Sequence, residues 1–270
     1  MILGMSLRPC ALAVLELRDP AAKASKTREL LAAVRGGQIK LDTRGEIAEP
    51  LGLPGRPTLP RLVGASQVPR RSPFTLNGRA ALIHSICHIE FNAINLALDA
   101  IWRFAGMPED YYLDWLQVAA EEALHFTLLR EHLQTLEHDY GDFDGHDGLW
   151  QMTEATAGDI VARMALVPRT LEARGLDATP PIQAKLGRAG DRRAVEILDI
   201  ILRDEIGHVA IGNRWYRWLC AREGLDAEAS YPQLVARYLA PRLRPPFNLA
   251  ARRAAGFSEP ELVQLQGLSA

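Results

Sequence analysis

Two short motifs constrain this chain more than anything else in it: Glu122-x-x-His125 and Glu205-x-x-His208. Residues three apart on an α-helix share a face, so each Glu and His can grip one cation together. One such pair is a weak signal, because 18 Glu and 7 His in 270 residues give about half a match by chance. The surroundings strengthen it. Trp115, Val118, Glu122, His125 and Leu129 fall on one stripe, as do Leu198, Ile201, Glu205, His208 and Gly212. The polar pairs therefore sit where an amphipathic helix buries its apolar side. A lone ionised carboxylate is costly there, so these groups call for compensation.

Two upstream acids supply the rest of a pattern. Ile83, Cys87, Glu90, Ile94, Ala97 and Ile101 form a face on which Glu90 is the acid, and Glu172 follows Val161, Ala165 and Pro168 on another. Glu90 precedes Glu122 by 32 residues, and Glu172 precedes Glu205 by 33. The two halves repeat one scheme: a helix with Glu, a turn, and an antiparallel helix with Glu-x-x-His. Four Glu and two His converging in a bundle form the ligand set of a dimetal carboxylate centre. Oxygen-rich ligands with two imidazoles suit iron or manganese better than zinc or copper. Four ionised carboxylates and two divalent cations also cancel in charge. Glu154 is the alternative to Glu172, but it lies 51 residues before Glu205 and breaks the matched spacing.

Composition excludes several classes. A formal net charge of −2 argues against wholesale nucleic-acid binding. Of 31 basic residues only Lys23, Lys26, Lys40 and Lys185 are Lys, a bias that a GC-rich genome explains more simply than phosphate binding. Cys10, Cys87 and Cys220 are dispersed, with no C-x-x-C pair, which disfavours a disulfide scaffold, a zinc finger or a rubredoxin-type site and suits a reducing cytoplasm. The longest apolar stretches run about nine residues, short of the roughly 18 of a membrane helix. The N-terminus resembles a signal peptide only superficially, because Arg8 and Pro9 interrupt it and Glu16, Arg18 and Asp19 follow. The expected location is the cytoplasm, with no membrane partner.

Strand signals are nearly absent, so the chain reads as all-α. Asp19-Pro20 predicts a helix start, with an end near Gly36-Gly37. Residues 42–77 read as an extended arm rich in Pro and Gly. Long helices are predicted over 79–106, 108–138, 149–175 with a kink at Pro168, and 191–223. Residues 139–148 form a loop, and 178–190 hold a Pro-Pro pair and a short helix. The predicted organisation is a helix and arm over 1–78, a four-helix bundle over 79–224, and a helical tail over 225–270.

The segments HSICHIEFNAINLALDAIWRF, DWLQVAAEEALHF, YGDFDGHDGLW, ARMALVPRTLEARGLD and ILRDEIGHVAIGNRW, with PGRPTLPRL in the arm, carry a resemblance. They resemble the bacterial ferritin-like family catalogued as domain of unknown function 455, over residues 19–224. The resemblance implies a ferritin-like bundle holding two Fe ions, or Mn or a mixed pair. By similarity to related dimetal proteins, Glu122 and Glu205 would bridge the metals. Glu90 with His125 would complete one metal, and Glu172 with His208 the other. Ligating His residues commonly donate their second nitrogen to an acid. Glu121 and Asp204, each preceding a motif Glu, are assigned that role, against the plainer reading of exposed helix acids. His84 and His88, off the Glu90 stripe, read as neutral core residues, or else as an extra ligand or proton relay. Asp142, Asp144, His146 and Asp147 read as loop caps rather than cation ligands.

The activity implied is activation of O2 or peroxide to oxidise or hydroxylate a small-molecule substrate, fed by an unidentified electron donor. Alternatives are a ferroxidase or metal-handling stress protein, a metal kept for stability, and a tRNA-modifying hydroxylase. In the tRNA case Arg70, Arg71, Arg242, Arg244, Arg252 and Arg253 would contact phosphates, although solvated or intrachain-paired arginines are the simpler expectation. The second full Glu-x-x-His departs from storage ferritins. The missing C-x-x-C pairs depart from rubrerythrins. Leu129 stands seven residues after Glu122, where radical-generating reductase subunits carry Tyr. A homodimer is the expected assembly.

Overall fold

Asp19 begins its helix as its sequence requires: the carboxylate accepts from the Ala22 amide at 2.7 Å and Pro20 takes the first helical position. A computed structural model describes residues 6–69 and 71–267, so Arg70 of the basic arm lies outside the described residues. Among these residues the regular structure is helical, with two isolated β-bridges and no strand. The chain divides into two compact units, Met1–Gly148 and Leu149–Ala270.

The first unit contains α1 (Leu7–Leu15), α2 (Pro20–Arg35), α3 (Leu76–Arg103) and α4 (Glu109–Thr135). α3 and α4 pack as a hairpin, with α1 against α3 and α2 against α4. α3 is long and apolar enough to cross a membrane, but 78% of that stretch is buried inside the protein, which makes it a core helix. α1 is a helix for which the sequence offered no start signal, and it runs through Arg8 and Pro9. Pro9 falls in the first turn, where its missing N–H costs nothing. Arg8 is buried and donates to the Trp102 carbonyl at the end of α3 (2.7 Å) and to Gly45 O. The cation thus satisfies a helix end that would otherwise leave its carbonyl bare.

Among its described residues, the arm between α2 and α3 has one 3-10 turn, Ala65–Gln67. It is pinned along its length. The Gly106 amide donates to Thr43 O at 2.6 Å, Arg103 pairs with Glu49 at 2.9 Å, and the Gly55 amide donates to Leu15 O at 2.9 Å. At Gly55 a Cβ would lie 2.0 Å from Glu16 O, so only glycine permits that approach.

The second unit contains α5 (Gly148–Ala155, whose first residue closes the first unit), α6 (Ile160–Leu166), a π-helical segment (Val167–Glu172), α7 (Ala173–Arg188), α8 (Arg192–Arg222), α9 (Ala227–Arg237), α10 (Leu249–Ala254) and α11 (Glu259–Gly267). Its core joins Ala173, Leu176, Val209, Ala251, Ala255, Phe257, Leu262 and Leu265. Two expectations fail here. The single helix predicted over 149–175 is broken after Ala155. Buried Arg163 donates to Thr156 Oγ1 (2.8 Å) and Thr153 O (2.5 Å), and Asp159 caps a new helix through the Ala162 amide (2.9 Å). Nor does the Pro180-Pro181 pair confine residues 178–190 to a short helix. α7 runs through it, because Ala173, Leu176, Thr179 and Leu186 keep a buried stripe that packs on α8, and tertiary packing outweighs the lost N–H groups.

Candidate metal centre

On α3 and α4 the predicted stripes are buried from end to end, and three polar groups sit within them. Glu90, Glu122 and His125 expose 4%, 0% and 0% of their surface. His125 Nδ1 lies 3.2 Å from Glu90 Oε2 and 3.3 Å from Glu122 Oε2, and one ligand atom of each residue lies within 4.8 Å of the others. Burial and the neighbouring Glu122 carboxylate push the Glu90 carboxyl well above the usual range, while its hydrogen bond to His125 opposes the rise. The donor set fits a hard divalent cation. Ligands in adjacent octahedral positions about 2.1 Å from one ion stand about 3 Å apart, close to the separations around His125.

The second unit carries the parallel set. Glu205 and His208 are buried on α8, with His208 Nδ1 4.0 Å from Glu205 Oε2. Glu172 closes the π-helical segment and is 8% exposed. One turn on, a Cβ at Gly175 would lie 3.8 Å from the Glu205 carboxyl carbon, so the two segments meet there. Glu154 is exposed on α5. Gly212, which sequence periodicity reads as a stripe member, has a separate task. A Cβ there would lie 2.7 Å from Pro168 Cβ, so its bare backbone lets α8 approach the π-helical segment.

A family model described as "Protein of unknown function (DUF455)" matches residues 16–263. The chain belongs to this family. An uncharacterised protein of Haemophilus influenzae (strain Rd) is 51% identical over 231 residues, 83% of this chain and 80% of its own. No solved structure matches.

The remaining candidates in this DUF455 chain have local partners. Glu121 accepts from Gln117 at 2.5 Å, and Asp204 from Arg203 at 2.9 Å. His84 Nε2 accepts from the Gly141 amide at 2.9 Å, and His88 meets Tyr140 Oη at 2.9 Å and His146 O at 3.1 Å. Burial pulls both imidazoles down to about 4, so both are neutral at physiological pH. They anchor the 139–148 loop, and Gly145 lies so close to His88 that a Cβ would approach its ring to 2.8 Å. The loop acids pair with arginines: Asp147 with Arg56 at 2.6 Å, Asp144 with Arg61 at 2.7 Å and Asp139 with Arg130 at 2.7 Å.

Sequence reasoning passes over Lys23. Its side chain is fully buried and donates to Gly55 O (2.7 Å) and Asn95 Oδ1 (2.6 Å), with Nζ 5.0 Å from the Phe91 ring centre. Burial lowers its pKa well below that of a free lysine. The available signal was spacing: Lys23, Thr27 and Leu30 share one face of α2.

Proposed function

We propose that the chain is a carboxylate-bridged dimetal protein of ferritin-like architecture that activates O2 or peroxide to oxidise or hydroxylate a small organic substrate. Iron is the first candidate, with manganese or a mixed pair as alternatives. One observation carries the reading: Glu90, Glu122 and His125 are brought together in a helical core, their ligand atoms within 4.8 Å. Glu172, Glu205 and His208 repeat the same ligand types on the second unit's buried surfaces. These six residues would hold the ions. The bound metals would supply one-electron chemistry and Lewis acidity, which no side chain here offers.

The chain's own residues do the rest. The carboxylates neutralise cations that an apolar core could not otherwise accept. Ile94, Val118 and Leu129, each at most 1% exposed on the ligand-bearing stripes, keep bulk water from the ligands. His125 faces both carboxylates through Nδ1, the arrangement a cation would take over from a shared proton. The substrate and electron donor belong to this proposal as a small molecule and a separate redox partner, and the cytoplasm and a homodimer as its setting.

The test is anaerobic titration of chelator-treated protein with Fe(II), followed by O2. Saturation at two ions per chain, then rapid oxidation to a magnetically coupled diferric pair, supports the proposal. Failure to bind two ions would overturn the dimetal reading. Tight binding without oxidation by O2 or peroxide would overturn the oxidative one.

A further inference from the structure

The second unit holds a half-open cavity of about 400 Å³ that none of the six metal-ligand candidates lines. Its size falls in the ligand-pocket range of about 300–1,000 Å³. Two of its lining residues are arginines buried to an unusual degree, Arg169 at 3% exposure and Arg252 at 0%. Each is paired already, Arg169 with Glu261 and Arg252 with Asp177 at 2.6 Å. Even so, each keeps one buried donor without an acceptor: Nε of Arg169 and Nη1 of Arg252. A buried N–H of a charged group left unmatched is costly, and an anion that reached it through a shift of the Arg169 or Arg252 side chain would recover that cost.

The charges agree. Arg217 also approaches Glu261, at 3.6 Å, so two guanidiniums share that one carboxylate, while Arg252 and Asp177 form a separate, balanced pair. The excess of one positive charge calls for a monoanion. Besides the Glu261 carboxylate, held by arginines, and the polar ends of Tyr231 and Gln264, the remaining wall is apolar. The Phe257 ring centre lies 5.1 Å from both guanidinium carbons, and Leu243 and Leu265 complete a surface for a hydrocarbon body. Arg169 belongs to the π-helical segment, and π-helical turns are frequent at functional sites.

We propose that this cavity binds a small amphipathic monocarboxylate, its acid group accepting from Arg169 or Arg252 and its apolar body lying on Phe257, Leu243 and Leu265. The site needs no metal, so its fate is separate from that of the dimetal reading.

The test is calorimetric titration of the full chain with decanoate, with decan-1-ol and acetate as partial probes. Decanoate is expected to saturate one site at or below about 1 mM, with the alcohol and acetate at least about tenfold weaker. Gln264 lines the rim and is exposed, so Gln264→Trp blocks the cavity without disturbing the core and should weaken decanoate by about tenfold or more. Arg169→Lys keeps the charge but removes the Nε donor, and should weaken decanoate while leaving decan-1-ol unchanged. No saturable decanoate binding would overturn the proposal. Equal affinity for decan-1-ol would do so too, as would decanoate binding untouched by Gln264→Trp.

Discussion

Replacing Glu90 by Gln separates the electrostatics of the metal-free chain from its metal affinity, because the two respond in opposite directions. Ligand atoms of Glu90 and Glu122 lie within 4.8 Å of one another, and both residues are buried. At an effective dielectric of about 20, two ionised carboxylates at that distance repel by about 3 kcal/mol. The Glu90 carboxyl is raised above its ordinary value of 4.5 by burial first and by Glu122 second. The sign follows from proton counting. As pH rises above about 4.5 the unfolded chain releases this proton before the folded one does, so the metal-free fold loses stability until the folded carboxyl ionises as well. Gln cannot ionise. Chelated Glu90→Gln should therefore match the wild type near pH 5 and exceed it by about 3 kcal/mol near pH 9, about 6–12 °C for a unit of this size. With Mn(II) at a hundredfold excess over its dissociation constant, the wild type should gain about 3 kcal/mol. The variant should gain clearly less, since an amide oxygen is a weaker ligand than a carboxylate. Circular-dichroism melts in chelator and in Mn(II), at both pH values, read all four quantities. A chelated variant less stable than wild type near pH 9 would refute the repulsion. A variant that keeps the full Mn(II) shift would refute the ligand role.

Other perturbations test the frame around the centre. Because the folded His84 and His88 titrate near 4 rather than 6.5, stability should fall as pH drops from 6.5 towards 4, by up to about 3 kcal/mol for each. Urea midpoints across that window should show a shallower slope in His84→Leu. Lys23→Ala strands Gly55 O and Asn95 Oδ1 in the core and should cost about 2–4 kcal/mol by denaturant titration, whereas Lys23→Met fills the volume and should cost less. Gly212→Ala forces a Cβ to 2.7 Å from Pro168 Cβ. It should cost about 1–3 kcal/mol and lower the second ion's occupancy by metal analysis. Gly207→Ala, on the same helix with nothing within 4 Å of the new Cβ, should be neutral or stabilising by about 1 kcal/mol.

The parts of this fold that sequence makes legible are those governed by local period. The buried stripes of α3, α4 and α8, the Asp19 cap and the Pro-rich arm follow from neighbours a few residues away. The buried cations follow a different rule. Arg8 binds a carbonyl 94 residues along the chain, Lys23 one 32 residues along, and Arg252 a carboxylate 75 residues along. Each reads locally as a charge that should face water. The partners that bury it belong to helix ends, arm carbonyls and acids that only the fold brings near. Helix α1 has the same origin, since Arg8, a charge within an apolar stretch, is the group that ties it to α3.

Glu172 shows where spacing stops being sufficient. Counting residues placed it on a stripe with Val161, Ala165 and Pro168 and matched its distance to Glu205 with that of Glu90 to Glu122. Counting assumes a constant helical phase, and Val167–Glu172 does not keep one. A π turn takes in an extra residue and rotates everything after it by about one residue's angle. The Thr170 hydroxyl donates five residues back, to Ala165 O at 2.7 Å, and supports the wider turn. The proline predicts a disturbance at that point but not its form. The form depends on α8, where Gly212 admits Pro168 to a distance that any side chain would forbid. The residue that sets the phase of the second unit's acid thus lies on the opposite helix, one turn beyond the His208 it is proposed to serve.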